Sequence, residues 1–294
     1  MSRGTSVLFD VPGPRTRLRH RIYDVAALVL LVVGLVGLYF FLDAKGQLTY
    51  EDWEPFVTPE FMVALGEGWI TTIQMALTAV LLALVFGVVL GVGKLSDHRW
   101  VRLPSALVVE FFRAVPLLLL IVFIFLTYGV GGGIGSYWSV VIGLMLYNGS
   151  VLAEIFRAGI NALPPGQAEA AYAVGMRKTQ VMTTILLPQA VKIMIPAIIS
   201  QCVVALKDTS LGFYVLAPGL TAVGRSIYTE FRNQFQTVLV LALMYIVTNF
   251  ILTLIATWVQ KRYVGERDQL QVGAAGLSDQ DTGLADAGTR HGQV

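Results

Sequence analysis

Apolar residues run along this chain in long blocks, and most of its charges are gathered in the gaps between them. Crossing a hydrocarbon core of about 30 Å takes roughly 20 apolar residues of helix. Blocks of that kind lie at 25–42, 69–92, 105–128, 134 to about 153, 188–206 and 236–259, and they predict six membrane-spanning helices. The fold class is therefore an all-α integral membrane protein.

The charges in the gaps give each span a direction. Lysine and arginine in short flanking segments mark the cytoplasmic side. Arg15, Arg17, Arg19 and Arg21 precede the first span and place the N-terminus inside. The gap at 43–68 carries Asp43, Glu51, Asp52, Glu54, Glu60 and Glu67 against Lys45, which suits the outside. Lys94, Arg99 and Arg102 fall inside, as do Arg177 and Lys178 and, after the last span, Lys261, Arg262 and Arg267. Trp53, Trp69, Tyr137 and Trp138 at the outer boundary, with Trp100 and Trp258 at the inner one, fit interfacial aromatic belts. The first span follows a basic segment as a secretory signal does, yet it is long for one and no small-residue cleavage site follows, so we read it as retained. The segment 260–294 is expected to be a cytoplasmic tail, and from about residue 266 its Gly, Ala, Asp and Gln predict disorder.

Composition agrees with a membrane protein: 55% of residues are hydrophobic and 14% charged, against roughly 25% charged in a soluble domain. A net charge of +2 gives no global field for nucleic acid. Cys202 lies in an apolar run and has no second cysteine to pair with, and His20, His98 and His291 are scattered without metal-ligand spacing. No G-x-x-x-x-G-K-[ST] motif occurs; Gly93-Lys94 is followed by Leu95 instead of a hydroxyl residue. The chain is thus expected to be no enzyme and to hold no cofactor or metal itself, so energy must come from an ion gradient or another subunit.

Charged residues at membrane depth need a partner or a task. Glu110 and Arg113, and likewise Glu154 and Arg157, are three apart and can pair on one helix face. Lys207 and Asp208 are adjacent, so they point about 100° apart on a helix and cannot simply neutralise each other. The following TSLGFYVLAPGL holds Gly212, Pro218 and Gly219 and does not read as continuous helix. Non-helical backbone at this depth must be buried in protein or line a cavity. Two readings stay open: a solvated helix end, or a lysine and an aspartate facing the carboxylate and amine of a zwitterion.

The stretch GQAEAAYAVGMRKTQVMTTILLP, residues 166–188, is polar and Ala-rich between two apolar blocks. Pro164-Pro165 stops the preceding helix and Gly175 ends or bends the next, predicting a short helix below the membrane. An ordered insertion of this length is more than a linker needs and points to a docking element. An interfacial helix without a partner is the alternative.

These residues carry a resemblance. Glu169-Ala170-Ala171, Gly175, Ile185 and Leu187-Pro188 match the EAA loop of ABC importer permeases at every spacing. FFRAVPLLLL, YNGSVLAEIFRAGINALPPGQ and PQAVKIMIPAIISQCVVALKDTSL resemble the polar amino-acid branch, the histidine, glutamine, glutamate and arginine type. The resemblance implies a type I importer fold with a five-span core at 69–259, an EAA coupling loop at 153–187, and three additions: the segment 1–24, the span 25–42 and the acidic loop 43–68. It further implies that Glu169 contacts an ATP-binding subunit, that Gly175 sets the turn, and that Ala170 and Ala171 permit close approach. ATP and Mg would be held on that partner subunit. Two permeases would pair, each taking one ATPase, with an extracytoplasmic binding protein delivering the amino acid. Lys207 and Asp208 match the family's K-D pair and Glu154 its inner-span carboxylate, and these are the implied substrate-pathway residues. VLFDVPGPR, the extra first span and the acidic outer loop are similar to glutamate-uptake permeases of actinomycetes, which implies glutamate first, with aspartate or glutamine next, and a bacterial cell membrane; it favours a heterodimeric permease pair and leaves a homodimer open. The rival is a gradient-driven secondary transporter using Glu110, Glu154 or Asp208 as an ion relay. It is disfavoured by the EAA spacing and by the lack of matching half-sequences.

Overall fold

The computed structural model describes residues 14–264. Residues 1–13, which include most of VLFDVPGPR, and the tail from 265 onward lie outside the described residues, while Arg15, Arg17, Arg19 and Arg21 fall within the first helix. The described chain is helical, without strands. It divides into two compact units, one of residues up to Thr71 with Pro218–Met244, the other of Thr72–Ala217 with the residues from Tyr245.

The first unit begins with α1 (Pro14–Ala44), followed by α2 (Tyr50–Trp53) and a 3-10 turn, Glu54–Phe56. Its span, Leu18–Ala44, has no buried residue. α1 is apolar all round, which is tolerable only where lipid or another chain covers it. The acidic segment 43–68 is not an open loop, because α3 (Pro59–Lys94) starts within it. The unit also holds α10 (Leu220–Phe231) and the first part of α11 (Gln234–Val264). A polar knot ties the segment after α1 to the α10–α11 turn. Asn233 Nδ2 donates to the Asp52 carbonyl at 2.7 Å, and Gln236 Nε2 donates to the Gln47 carbonyl at 2.7 Å. Both side chains are buried, where an amide left without partners would be costly.

The second unit carries the rest of α3, α4 (Arg99–Ala114), α5 (Leu117–Ile124), α6 (Gly135–Asn161), α7 (Pro165–Ala173), α8 (Lys178–Gln180) and α9 (Leu187–Asp208). Met75, Ala79, Ile121, Val140, Val141 and Leu144 form its core with Val215 and Ala217. α6 is the central helix, more than half buried over its span. α3 crosses it closely: a Cβ on Gly87 would lie 2.9 Å from the Gly149 carbonyl oxygen, and one on Gly149 would lie 3.0 Å from that of Ala83. Small residues at such a crossing let backbones approach where no hydrophobic force drives helices together in lipid.

Five of the expected spans fall within helical stretches long and apolar enough to cross a membrane, at 18–44, 59–94, 135–161, 178–215 and 234–260. The block at 105–128 is not. There α4 and α5 meet at a 100° bend, because Pro116 lacks an N–H and forces Val115 into an extended conformation, ψ 128°. α6 also continues past residue 153 to Asn161 before the connection to α7 begins.

Candidate functional site

The EAA segment folds as an exposed short helix with defined ends. Pro165 occupies the first turn of α7, where a missing N–H is harmless. Alanines at 168, 170, 171 and 173 favour the helix. At its end the Gly175 N–H bonds the Tyr172 carbonyl at 2.9 Å, and the Met176 N–H bonds the Ala171 carbonyl at 3.1 Å. That is a Schellman closure, and it requires the left-handed conformation that Gly175 adopts at φ 82°. α7 packs on the widened helical turn Val181–Leu186 that leads into α9. Gln189 Nε2 fixes it further by donating to Gln167 Oε1 at 2.7 Å.

Glu169, Ala170 and Gly175 are exposed, whereas Ala171 is 4% exposed and turned into this chain. The close approach that Ala171 permits is therefore to its own fold. Tyr172 and Val174, not singled out from the sequence, stand out at 47% and 78% exposure. Two large apolar side chains in an otherwise alanine-rich helix were the available signal. With Glu169 they make a mixed apolar and acidic patch suited to a protein partner.

The loop before α4 reaches this segment through Asp97, whose carboxylate pairs with Lys178. The hydrogen bond and charge of Lys178 hold the Asp97 carboxyl below the usual carboxylate range, with His98 and Arg102 adding to the effect.

Three residues before Asp97, the ends of three helices meet at Lys94. Its side chain is 8% exposed and donates from Nζ to Glu154 Oε2 at 2.6 Å and to Glu110 Oε1 at 3.3 Å. Arg157 Nε donates to Glu154 Oε1 at 2.7 Å, and Arg113 lies 3.6 Å from Glu110. Both expected i,i+3 pairs are present, and both are joined to a lysine that charge counting had assigned only to the cytoplasmic flank. Its partners are 16 and 60 residues away, a separation no local pattern reveals.

Lys207 and Asp208 close α9, and the chain continues as a 3-10 helix, Thr209–Val215, before Leu216 turns left-handed at φ 54°. Lys207 is exposed and Asp208 half-buried. Among the described residues neither is in an ion pair, and Glu154 is paired elsewhere, with Lys94 and Arg157. A deeper amide pair, Gln201 Nε2 donating to Asn148 Oδ1 at 2.6 Å, joins α9 to α6. In the elbow of α4 and α5, an apolar cleft of about 750 Å³ is lined by Phe111, Phe112, Phe123 and Ile142. It offers a zwitterion no charged partner. Among the described residues no cluster of His, Cys, Asp or Glu could hold a metal, and Cys202 is a free, partly buried thiol.

The model of the binding-protein-dependent transport system inner membrane component family matches residues 83–265. The chain belongs to this family. It is a multi-pass membrane component, and the ATPase site of such transporters lies on a separate subunit. A glutamate transport system permease of Corynebacterium glutamicum is 39% identical over 248 residues, covering 83% of this chain and 91% of that protein. An arginine transport system permease of Bacillus subtilis is 33% identical, covering 67% and 90%. Among solved structures, an amino acid ABC transporter is 26% identical at TM-score 0.64, covering 69% of this chain and 95% of that one. The type I importer fold is thereby established for this chain.

Proposed function

We propose that this chain is the permease subunit of an ATP-driven amino-acid importer and that glutamate is its first substrate. The observation that carries the reading is the exposed helix α7, closed at Gly175, which carries Glu169 at the EAA spacing together with the exposed side chains of Tyr172 and Val174. Such a rigid protruding element is what a groove on an ATP-binding subunit can grip. Closure of two ATPase subunits on ATP then rocks a pair of permeases from inward-facing to outward-facing. An extracytoplasmic binding protein delivers the substrate, and both termini lie in the cytoplasm. The similarity to a glutamate permease over most of both chains supports glutamate and a bacterial cell membrane. The α7 surface favours this reading over a gradient-driven carrier, which has no use for it. Lys207 and Asp208 are the pathway residues, Lys207 for a substrate carboxylate and Asp208 for an amine; Glu154 borders the pathway from its ion pairs. The second permease is a paralogue.

The test is uptake of labelled glutamate by cells with and without the gene, challenged with unlabelled aspartate, glutamine and arginine. Loss of competable uptake on deletion is expected, and Glu169→Lys is expected to reduce copurification of the ATPase subunit with the permease. Glutamate uptake that survives deletion in the absence of a redundant system sinks the substrate assignment. Unchanged copurification and transport by Glu169→Lys sinks the docking role.

A further inference from the structure

We infer that Lys94 is a positioning residue that carries movement of the EAA loop into the membrane-spanning helices, an inference that rests on the importer reading above. Lys94 ends α3 and bonds Glu110 on α4 and Glu154 on α6 from a nearly buried position. Each of those acids also has its own arginine three residues on, Arg113 and Arg157. Without Lys94 the cluster would still contain two complete Glu–Arg pairs, each neutral and each within one helix. The lysine is thus surplus to neutralisation, and desolvating it has a cost. What it adds is a link across three helices that otherwise carry self-contained pairs.

The same corner is tied to the EAA loop. Asp97, three residues after Lys94, pairs with Lys178, which opens α8 just beyond the Gly175 turn that closes α7. The turn between α3 and α4 spans only 95–98. It is held by the EAA loop through Asp97 and by the charge cluster through Lys94, with too few residues between to absorb a displacement as slack. A pull on α7 therefore reaches the end of α3, and Lys94 passes it to α4 and α6. α4 leads directly into the 100° elbow with α5, the sharpest bend among the candidate spans.

The experiment uses the complete transporter in proteoliposomes, with its ATPase subunit, partner permease and binding protein, and measures amino acid taken up per ATP hydrolysed. Lys94→Met keeps side-chain length and removes the charge. Assembly and ATP hydrolysis are expected to persist while uptake per ATP falls by about 2- to 30-fold, and Lys94→Arg is expected to restore most of it. A Lys94→Met ratio equal to wild type overturns the inference, as does a Lys94→Arg variant no better than Lys94→Met. Should Lys94→Met fail to assemble, Asp97→Asn on the exposed turn provides the second reading: a lowered ratio supports the route and an unchanged one overturns it. A wild-type complex that hydrolyses ATP without moving glutamate counts against the substrate assignment alone, and the ratios are then read with the amino acid that is carried.

Discussion

A left-handed backbone costs an L-residue about 1–2 kcal/mol, and Gly175 stands in that region at φ 82° with open space around it. Its glycine is required by the backbone and not by crowding. Gly175→Ala is therefore expected to disfavour the closed turn by about 1–2 kcal/mol and to weaken ATPase-subunit affinity by about fivefold or more, measured by titrating the ATPase subunit onto purified permease. Gly166→Ala is the control: it lies early in α7 without positive φ or near neighbours, and alanine there favours the helix, so affinity should not fall. Equal losses in the two variants would remove the conformational explanation. The short helix and its turn at Gly175 were legible in the sequence because their signal is local, a proline at the start, alanines within and a glycine at the end. Ala171 looked like the other alanines by that signal, yet it faces inward, since a motif says nothing about which side of its helix is already occupied. Lys94 was not legible, because its partners belong to helices distant in sequence.

At the scale of elements, hydropathy located most helices and missed the break in one. Averaged over 105–128, the apolar residues on both sides of Pro116 look like one span; the bend depends on a missing N–H and on the extended conformation forced at Val115, neither of which hydropathy records. The crossing of α3 and α6 was equally hidden, since Gly87 and Gly149 acquire meaning only when placed against each other. A Cβ on Gly87 would meet Leu152 Cβ at 2.8 Å as well as the Gly149 carbonyl. Backbone atoms cannot swing aside as a long side chain can. Gly87→Val is expected to destabilise the second unit by about 1–3 kcal/mol, read as a lower unfolding temperature in detergent. Gly34→Val, on α1 with no atom within 4 Å, should leave that temperature unchanged. If both variants unfold like wild type, the close crossing has no energetic weight.

For the whole molecule, the sequence carried fold class and a proposed direction of insertion, because both depend on summed composition and charge. It could not show that the segment 43–68 is largely folded, since Asn233 and Gln236, which secure it, lie more than 180 residues away. The proposed orientation has separate consequences for two exposed positions. Glu51 sits in the acidic segment after α1, and His98 sits in the basic turn before α4. If the basic flanks are cytoplasmic, Glu51→Cys in a Cys202→Ala background should react with a membrane-impermeant maleimide on intact cells. His98→Cys should react only after permeabilisation. The reverse pattern would invert the insertion and put α7 on the side without ATP, so the docking role of Glu169 would fall together with the topology. The expected pattern leaves α7 and Asp97 on the cytoplasmic side, where an ATPase subunit can reach them, with Lys94 just behind them.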